Sequence, residues 1–209
     1  MRRSPLIILA DTSGRMVGER IARTNSFIHD LVNKFRFDPL AIETVYLSII
    51  TYNLTFSVEL DFKPISEPFN LVDIKAQQST PPLLGSALEY LSKWTNQRVH
   101  KTTNNSKGDW RTGIIICWGG GISDKDKFQN AVKLFANISV RIMVIRINAD
   151  ITDDLFPSDW IILNSNLTNE ELMTNIYRNF WWKEDDLCCE DEPLAKFLTV
   201  LPAIIHLDL

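Results

Sequence analysis

Cysteine, histidine and long apolar runs are scarce in this sequence. Its 209 residues include three cysteines and three histidines. Two cysteines, Cys188 and Cys189, are adjacent and no C-x-x-C spacing occurs, so neither a zinc ribbon nor a disulfide framework is expected. No apolar run reaches the roughly 18 residues of a transmembrane helix, and the start is too short for a signal peptide. We therefore expect a cytoplasmic protein with no membrane partner.

A strong excess of one charge is also missing. The 26 acidic and 22 basic residues give a net charge of −4, and six of the acids lie with one lysine in residues 183–192. The rest of the chain is therefore close to neutral. Without a basic excess, no nucleic-acid partner is expected. The composition, 45% hydrophobic and 23% charged, is that of a globular domain rather than a disordered chain.

Apolar runs of strand length alternate with helical patterns along the chain. Strands are predicted at residues 6–10, 44–52, 55–62, 113–117, 139–147 and 159–163. Helices are predicted at 18–35, 84–91, 128–135 and after a capping box at 168–171, with loops over 63–82 and 95–109. Two residues separate the second and third strands, which favours a hairpin and an antiparallel edge strand. The alternation predicts an α/β fold: a doubly wound, mostly parallel sheet with one antiparallel edge strand and helices on both faces.

The first predicted strand runs into the motif D-T-S-G-R-M at residues 11–16. In doubly wound sheets, ligands bind where the strands end. The motif, the hairpin at 45–53 and the segment T-P-P-L-L-G-S-A-L at 80–88 occur in the order found in the von Willebrand factor A (vWA) family, which this chain resembles. The stretch from residue 38 through E-T-V-Y-L-S-I-I-T-Y-N is most similar to bacterial tellurite-resistance-type vWA proteins. The resemblance covers about residues 5–182 and implies a vWA/Rossmann-like fold.

The resemblance also implies a metal-ion-dependent adhesion site (MIDAS), built for a hard cation that takes hydroxyl and carboxylate oxygens. Asp11, Ser13 and Thr80 match its ligand positions. Arg15 stands where the family has serine, and Gly119 stands where it has aspartate. We expect a degenerate site in which Arg15 pairs with Asp11 in place of the cation, so no metal or other cofactor is expected.

Two alternatives stay open for this site. Arg15 can point to solvent, leaving a site that has merely lost ligands. Weak binding of Mg²⁺ or Mn²⁺ can also persist through Asp11, Ser13 and Thr80, with Asp124 as a further candidate.

Catalytic interpretations find little support. Gly119, Gly120 and Gly121 can form an anion-binding nest of N–H groups, but no nucleotide-binding glycine motif is present. Asp11 resembles the nucleophile of haloacid-dehalogenase-type phosphatases, yet Ser13 stands where their second aspartate belongs. We expect no enzyme and no catalytic residue.

The C-terminal part divides the chain into a vWA-like domain, residues 1–182, and an extension, residues 183–209, made of an acidic linker and an apolar tail. Trp181, Trp182, Phe197 and Leu201 are candidates for docking the tail. An apolar tail must be buried, either on its own domain or on another chain, and the sequence leaves both open.

The function expected from these observations is a non-catalytic protein–protein interaction module with a degenerate MIDAS. Its contact surface is a rim formed by the six residues Asp11, Ser13, Arg15, Thr80, Gly119 and Asp124. The resemblance implies a bacterial stress-response or phage-defence assembly of tellurite-resistance type, with other proteins of the same operon-type system as partners. The oligomeric state is left open. The alternative function is a metal-dependent vWA ligand-binding protein with a weak residual site for Mg²⁺ or Mn²⁺.

Overall fold

The computed structural model describes residues 2–103, 106–136, 138–147, 155–164 and 166–181. Its six strands form one sheet in the order β3-β2-β1-β4-β5-β6, and β3 is the antiparallel edge strand. The strands are β1 (Ser4–Asp11), β2 (Val45–Tyr52), β3 (Phe56–Pro64), β4 (Thr112–Trp118), β5 (Val140–Arg146) and β6 (Ile161–Asn164). The α-helices are α1 (Glu19–Phe37), α2 (Pro39–Thr44), α3 (Leu84–Arg98), α4 (Lys125–Phe135) and α5 (Asn169–Ile176). A 3₁₀ turn spans Gly14–Met16 and a π-helical turn spans Tyr177–Trp181. The predicted fold class is confirmed.

Apolar side chains on both faces of the central strands explain the layers. Along β1, Leu6 and Ile8 belong to one core cluster while Ile7 and Leu9 belong to the other. The first cluster includes residues of α1, α2 and α5, and the second includes residues of α3 and α4. Strands buried on both faces need continuous apolar runs, which is the pattern that identified them in the sequence.

Helix α2 and the end of helix α3 differ most from the sequence expectation. Helix α2 was not predicted; Asp38 starts it by accepting hydrogen bonds from the N–H groups of Leu40 and Ala41, with Pro39 in the first turn. Helix α3 runs on to Arg98, so the loop expected to start at residue 95 is shorter. The capping box that opens α5 is present as predicted, since Thr168 accepts from the N–H of Glu171 and the Glu171 carboxylate accepts from that of Thr168.

The topology determines where a site can form. Chain order reverses direction across the sheet between β1 and β4, which are neighbours although three strands apart in numbering. The loops after these two strands diverge to opposite faces and leave a crevice at the carboxyl edge. Within the described ranges, no helix is both long enough and apolar enough to cross a membrane.

Candidate functional site

Asp11 is the last residue of β1 and its carboxylate lies in the crevice between β1 and β4. The side chain is buried, with 0% exposure. One oxygen accepts a hydrogen bond from the N–H of Ser13 at 2.8 Å, and the other accepts from the N–H of Gly119 at 3.2 Å. Burial raises the pKa of Asp11; the two N–H groups, the nearby Ser13 hydroxyl and, last, the charge of Arg15 oppose this rise. Backbone donors therefore hold this buried carboxylate across the crevice.

Two hydroxyl groups near this carboxylate have no hydrogen-bond partner among the described residues. They are Ser13 Oγ and Tyr52 Oη, both buried. Tyr52 ends β2 directly opposite Asp11 in the parallel register. Burial raises the pKa of Tyr52 far above its usual value, and the negative charge of Asp11 adds to the rise. The crevice therefore contains buried polar groups with unused hydrogen-bonding capacity.

Met16 occupies the space beside Gly119. A Cβ atom placed on Gly119 would lie 2.4 Å from Met16 Sδ, 2.9 Å from Met16 Cγ and 3.1 Å from Asp11 Oδ2. Met16 is fully buried and belongs to the core cluster of α1 and α5. A side chain at position 119, including the aspartate of the family pattern, cannot fit unless this thioether moves. The sequence showed Met16 as part of the motif but gave no sign of this role.

Arg15 does not pair with Asp11, and this expectation was wrong. No oxygen of Asp11 lies within 4.0 Å of a nitrogen of Arg15, whereas four other ion pairs are present in the described part of the chain. Arg15 is exposed and its guanidinium lies against Gly121, where a Cβ would be 2.9 Å from Arg15 Cζ. Gly121 has φ +73°, so glycine is needed there both for the backbone and for this contact. The alternative in which Arg15 points outward is the one observed.

Thr80 and Asp124 use their side chains for other contacts. The Thr80 hydroxyl donates to the carbonyl of Gln77 at 2.9 Å, although its own carbonyl accepts from the N–H of Gly14 and so lies beside the first motif. The Asp124 carboxylate accepts from the N–H of Gly85 at 3.0 Å and from the N–H and hydroxyl of Ser86 at 2.7 and 2.8 Å. Asp124 therefore caps helix α3 rather than facing Asp11 as a ligand.

These residues can be tested against the hard-cation site that the motif implies. Mg²⁺ takes a near-octahedral set of oxygen ligands. Asp11 and Ser13 offer oxygens in the crevice, whereas Met16 presents a thioether where a carboxylate is needed and the Thr80 hydroxyl is engaged with Gln77. The arrangement as it stands does not fit that ion.

The rim residues predicted from the sequence are therefore only partly brought together. The crevice contains Asp11, Ser13 and Gly119, and it is flanked by Arg15 and Thr80. Asp124 instead caps helix α3. Of the predicted docking residues, Trp182, Phe197 and Leu201 lie outside the described residues, and the backbone is described as far as Trp181.

The fold and this crevice define a doubly wound α/β domain with a loop site at its switch point. The family model for the von Willebrand factor type A domain matches residues 6–174. The chain belongs to this family.

Two solved structures illustrate the likeness. The chain is similar to the conserved hypothetical protein BatB from Bacteroides thetaiotaomicron, with a TM-score of 0.52 and 13% identity over 82% of this chain and 95% of that one. It is also similar to proximal thread matrix protein 1 from the mussel byssus, with a TM-score of 0.57 and 16% identity over 83% of this chain and 46% of that one. At such identities the likeness establishes the fold alone. No curated protein sequence matches significantly.

Proposed function

We propose that this chain is a non-catalytic protein-interaction module that contacts its partner through the carboxyl edge of the sheet without a bridging metal. One observation carries the proposal. At position 119, where the family has a metal-binding aspartate, the chain has glycine, and the buried Met16 thioether fills the space that the aspartate would need. Arg15, in turn, presents a fixed positive charge at the surface. Loops held by a rigid sheet are well suited to binding, because their positions are set before the partner arrives.

The chemistry of this rim favours an acidic group on the partner. In a MIDAS, the cation attracts a carboxylate of the partner. Here the exposed guanidinium of Arg15 supplies positive charge directly, and its planar fork suits a carboxylate. We place this activity in a cytoplasmic bacterial stress-response or phage-defence assembly of tellurite-resistance type, with proteins of the same operon-type system as partners. These finer assignments rest on the sequence resemblance.

Metal titration separates this proposal from the metal-dependent alternative. Unfolding of the wild-type chain is followed thermally with and without Mg²⁺ or Mn²⁺. The triple variant Arg15→Ser, Met16→Ala, Gly119→Asp restores the family ligands and removes the thioether that blocks position 119. We expect no shift for the wild type and a metal-dependent increase in Tm for the variant. A clear increase for the wild type supports the alternative, a residual site at Asp11, Ser13 and Thr80.

Partner capture then tests the rim. Tagged wild type is compared with Arg15→Glu and with Lys93→Glu, a matched charge reversal at an exposed position of α3. Arg15→Glu should lose the partner and Lys93→Glu should keep it, in the presence of a chelator. Equal capture by all three chains would exclude Arg15 from the contact.

A further inference from the structure

A cavity of about 160 Å³ lies between helix α1 and the edge of the sheet formed by β2 and β3. Ile28 of α1, Ile49 of β2 and Leu60 of β3 contribute to its wall. The chain after β3 completes the lining with residues 70–74, which we call the strap. None of the six rim residues lines this cavity, so it is separate from the site at the carboxyl edge.

Polar contacts hold the strap on α1. Asn25 Nδ2 donates to the carbonyl of Ile74 at 3.0 Å, and Asn25 Oδ1 accepts from the N–H of the same residue at 3.0 Å. One turn further along α1, His29 Nε2 lies 3.0 Å from Asp73 Oδ1. The strap is therefore attached to the helix by two side chains, and the cavity lies beneath an attached segment.

The inner wall of the cavity is apolar. Ile28, Ile49 and Ile74 are buried and belong to the core cluster of α1. Leu60 and Leu71 are partly buried and pack against the same cluster. An apolar cavity of about 150 Å³ in a protein core is large enough to bind benzene. The inner wall can therefore accept an apolar group of about that size.

An acidic side chain lies at the mouth of the cavity. Glu59 is an extra residue between Val58 and Leu60, which pair with consecutive residues of β2, so the edge strand has a bulge here. Bulges redirect side chains. Glu59 is exposed, lines the cavity, and its Oε1 accepts from Thr51 Oγ1 at 3.0 Å.

The charge of this carboxylate is not neutralised by a neighbour. Glu59 takes part in none of the ion pairs found in the described ranges. Of the described residues that line the cavity, none is lysine or arginine. The mouth therefore combines an unneutralised negative charge with an apolar interior, which is complementary to a cation that carries an apolar group.

We propose that this cavity binds a small primary ammonium ion with a compact apolar substituent. The substituent occupies the apolar wall, where its burial supplies affinity, and the ammonium group donates a hydrogen bond to Glu59. A mostly apolar lining with one placed charge is typical of small-molecule sites, because the charge fixes the orientation of the ligand. The proposal does not depend on the function proposed for the rim.

Benzylamine is the probe that tests this, and benzyl alcohol is its uncharged counterpart of nearly the same shape. Binding to the full chain is followed by NMR of the isoleucine, leucine and valine methyl groups. We expect saturable, millimolar binding of benzylamine, with shifts in the five apolar lining residues named above and none at Ile116, which lies in the other core cluster. Benzyl alcohol should bind roughly three- to tenfold more weakly, since it lacks the charge.

Glu59→Gln separates the role of charge from that of shape. The amide keeps an oxygen that can accept from Thr51, so the fold should be retained, and benzylamine should then bind as weakly as benzyl alcohol. Glu43→Gln is the matched control, because it removes an exposed carboxylate that does not line the cavity. This control should bind benzylamine like the wild type.

A second variant tests the cavity itself. Leu71→Trp places a larger side chain in the strap and should abolish binding of both compounds, while methyl signals away from the cavity report that the fold is intact. The proposal is overturned by the absence of saturable binding, by shifts at Ile116 in place of the lining residues, or by equal affinity of wild type and Glu59→Gln for benzylamine. Undiminished binding to folded Leu71→Trp also overturns it.

Discussion

The packing of Met16 against Gly119 makes a sharp prediction for the substitution Gly119→Ala. The added Cβ would lie 2.4 Å from Met16 Sδ, well inside van der Waals contact. The φ angle of Gly119 is not in the left-handed region, so the backbone accepts alanine and the effect isolates this contact. Forcing an extra methyl into a packed core typically costs about 1–3 kcal/mol, which for a chain of this size lowers Tm by roughly 2–12 °C.

Met16→Ala should reverse much of this loss when the two substitutions are combined. Alone, Met16→Ala leaves a cavity in the core and costs about 2–5 kcal/mol. With the thioether removed, the methyl at position 119 meets no clash and fills part of the cavity. We therefore expect the double variant to be more stable than the sum of the single effects by about 1–3 kcal/mol, measured by chemical denaturation.

Gly18→Ala is the matched control for this cycle. Gly18 has φ +88°, and a Cβ added there would have no heavy atom within 4 Å, so alanine is strained by the backbone alone. Met16→Ala should give no rescue of Gly18→Ala. If the effects of Gly119→Ala and Met16→Ala simply add, Met16 does not restrict position 119 and the physical basis of the proposed metal-free rim is lost.

Three further substitutions test the surroundings of the crevice. Asp124→Ala removes the acceptor of three hydrogen bonds at the start of α3 and should cost about 1–3 kcal/mol in denaturant unfolding; a loss below about 0.5 kcal/mol would show that the cap is dispensable. Because the pKa of Asp11 is raised in the folded chain, the native state binds this proton more tightly, so stability increases as pH falls through the folded pKa. The Tm of wild type should therefore rise relative to that of Asp11→Asn on lowering the pH from neutrality, and a difference that does not change with pH would contradict the shift. Thr168→Ala breaks the capping box of α5 and should cost about 1 kcal/mol, whereas Thr168→Ser should retain most of that stability.

The sheet was predictable because its signal lies in the residues of each strand. Strands β1, β4 and β5 are buried on both faces along their central residues, and each therefore contains an unbroken apolar run of at least four residues, such as residues 142–145 in β5. The ends of helices that depend on tertiary contacts could not be predicted in this way. The end of α3 looks polar in the sequence, yet Trp94 and Thr95 are buried at 5% and 2% exposure, and this packing continues the helix to Arg98.

The site was predictable in position but not in contacts. A motif at the end of a strand places Asp11 and Ser13 in the crevice whatever follows. Which groups then satisfy Asp11 depends on loop conformation, and here the N–H groups of Ser13 and Gly119 do so. Every residue except proline has a backbone N–H group, so the sequence does not show which of these groups will bind Asp11. From charge alone, we expected the guanidinium of Arg15 to be its partner.

The outward position of Arg15 determines how a direct contact with a partner can be distinguished from a contact through a bound metal. Had Arg15 paired with Asp11, the carboxylate would have neutralised its positive charge inside the crevice. Because it lies outward against Gly121 and Asp11 is held by N–H groups, the positive charge remains available at the surface. A contact through Arg15 should weaken as the salt concentration increases, because salt screens exposed charges. Adding a chelator should not change it, because no metal takes part. A contact through a bound metal should disappear with the chelator, so one partner measured under both conditions discriminates the two.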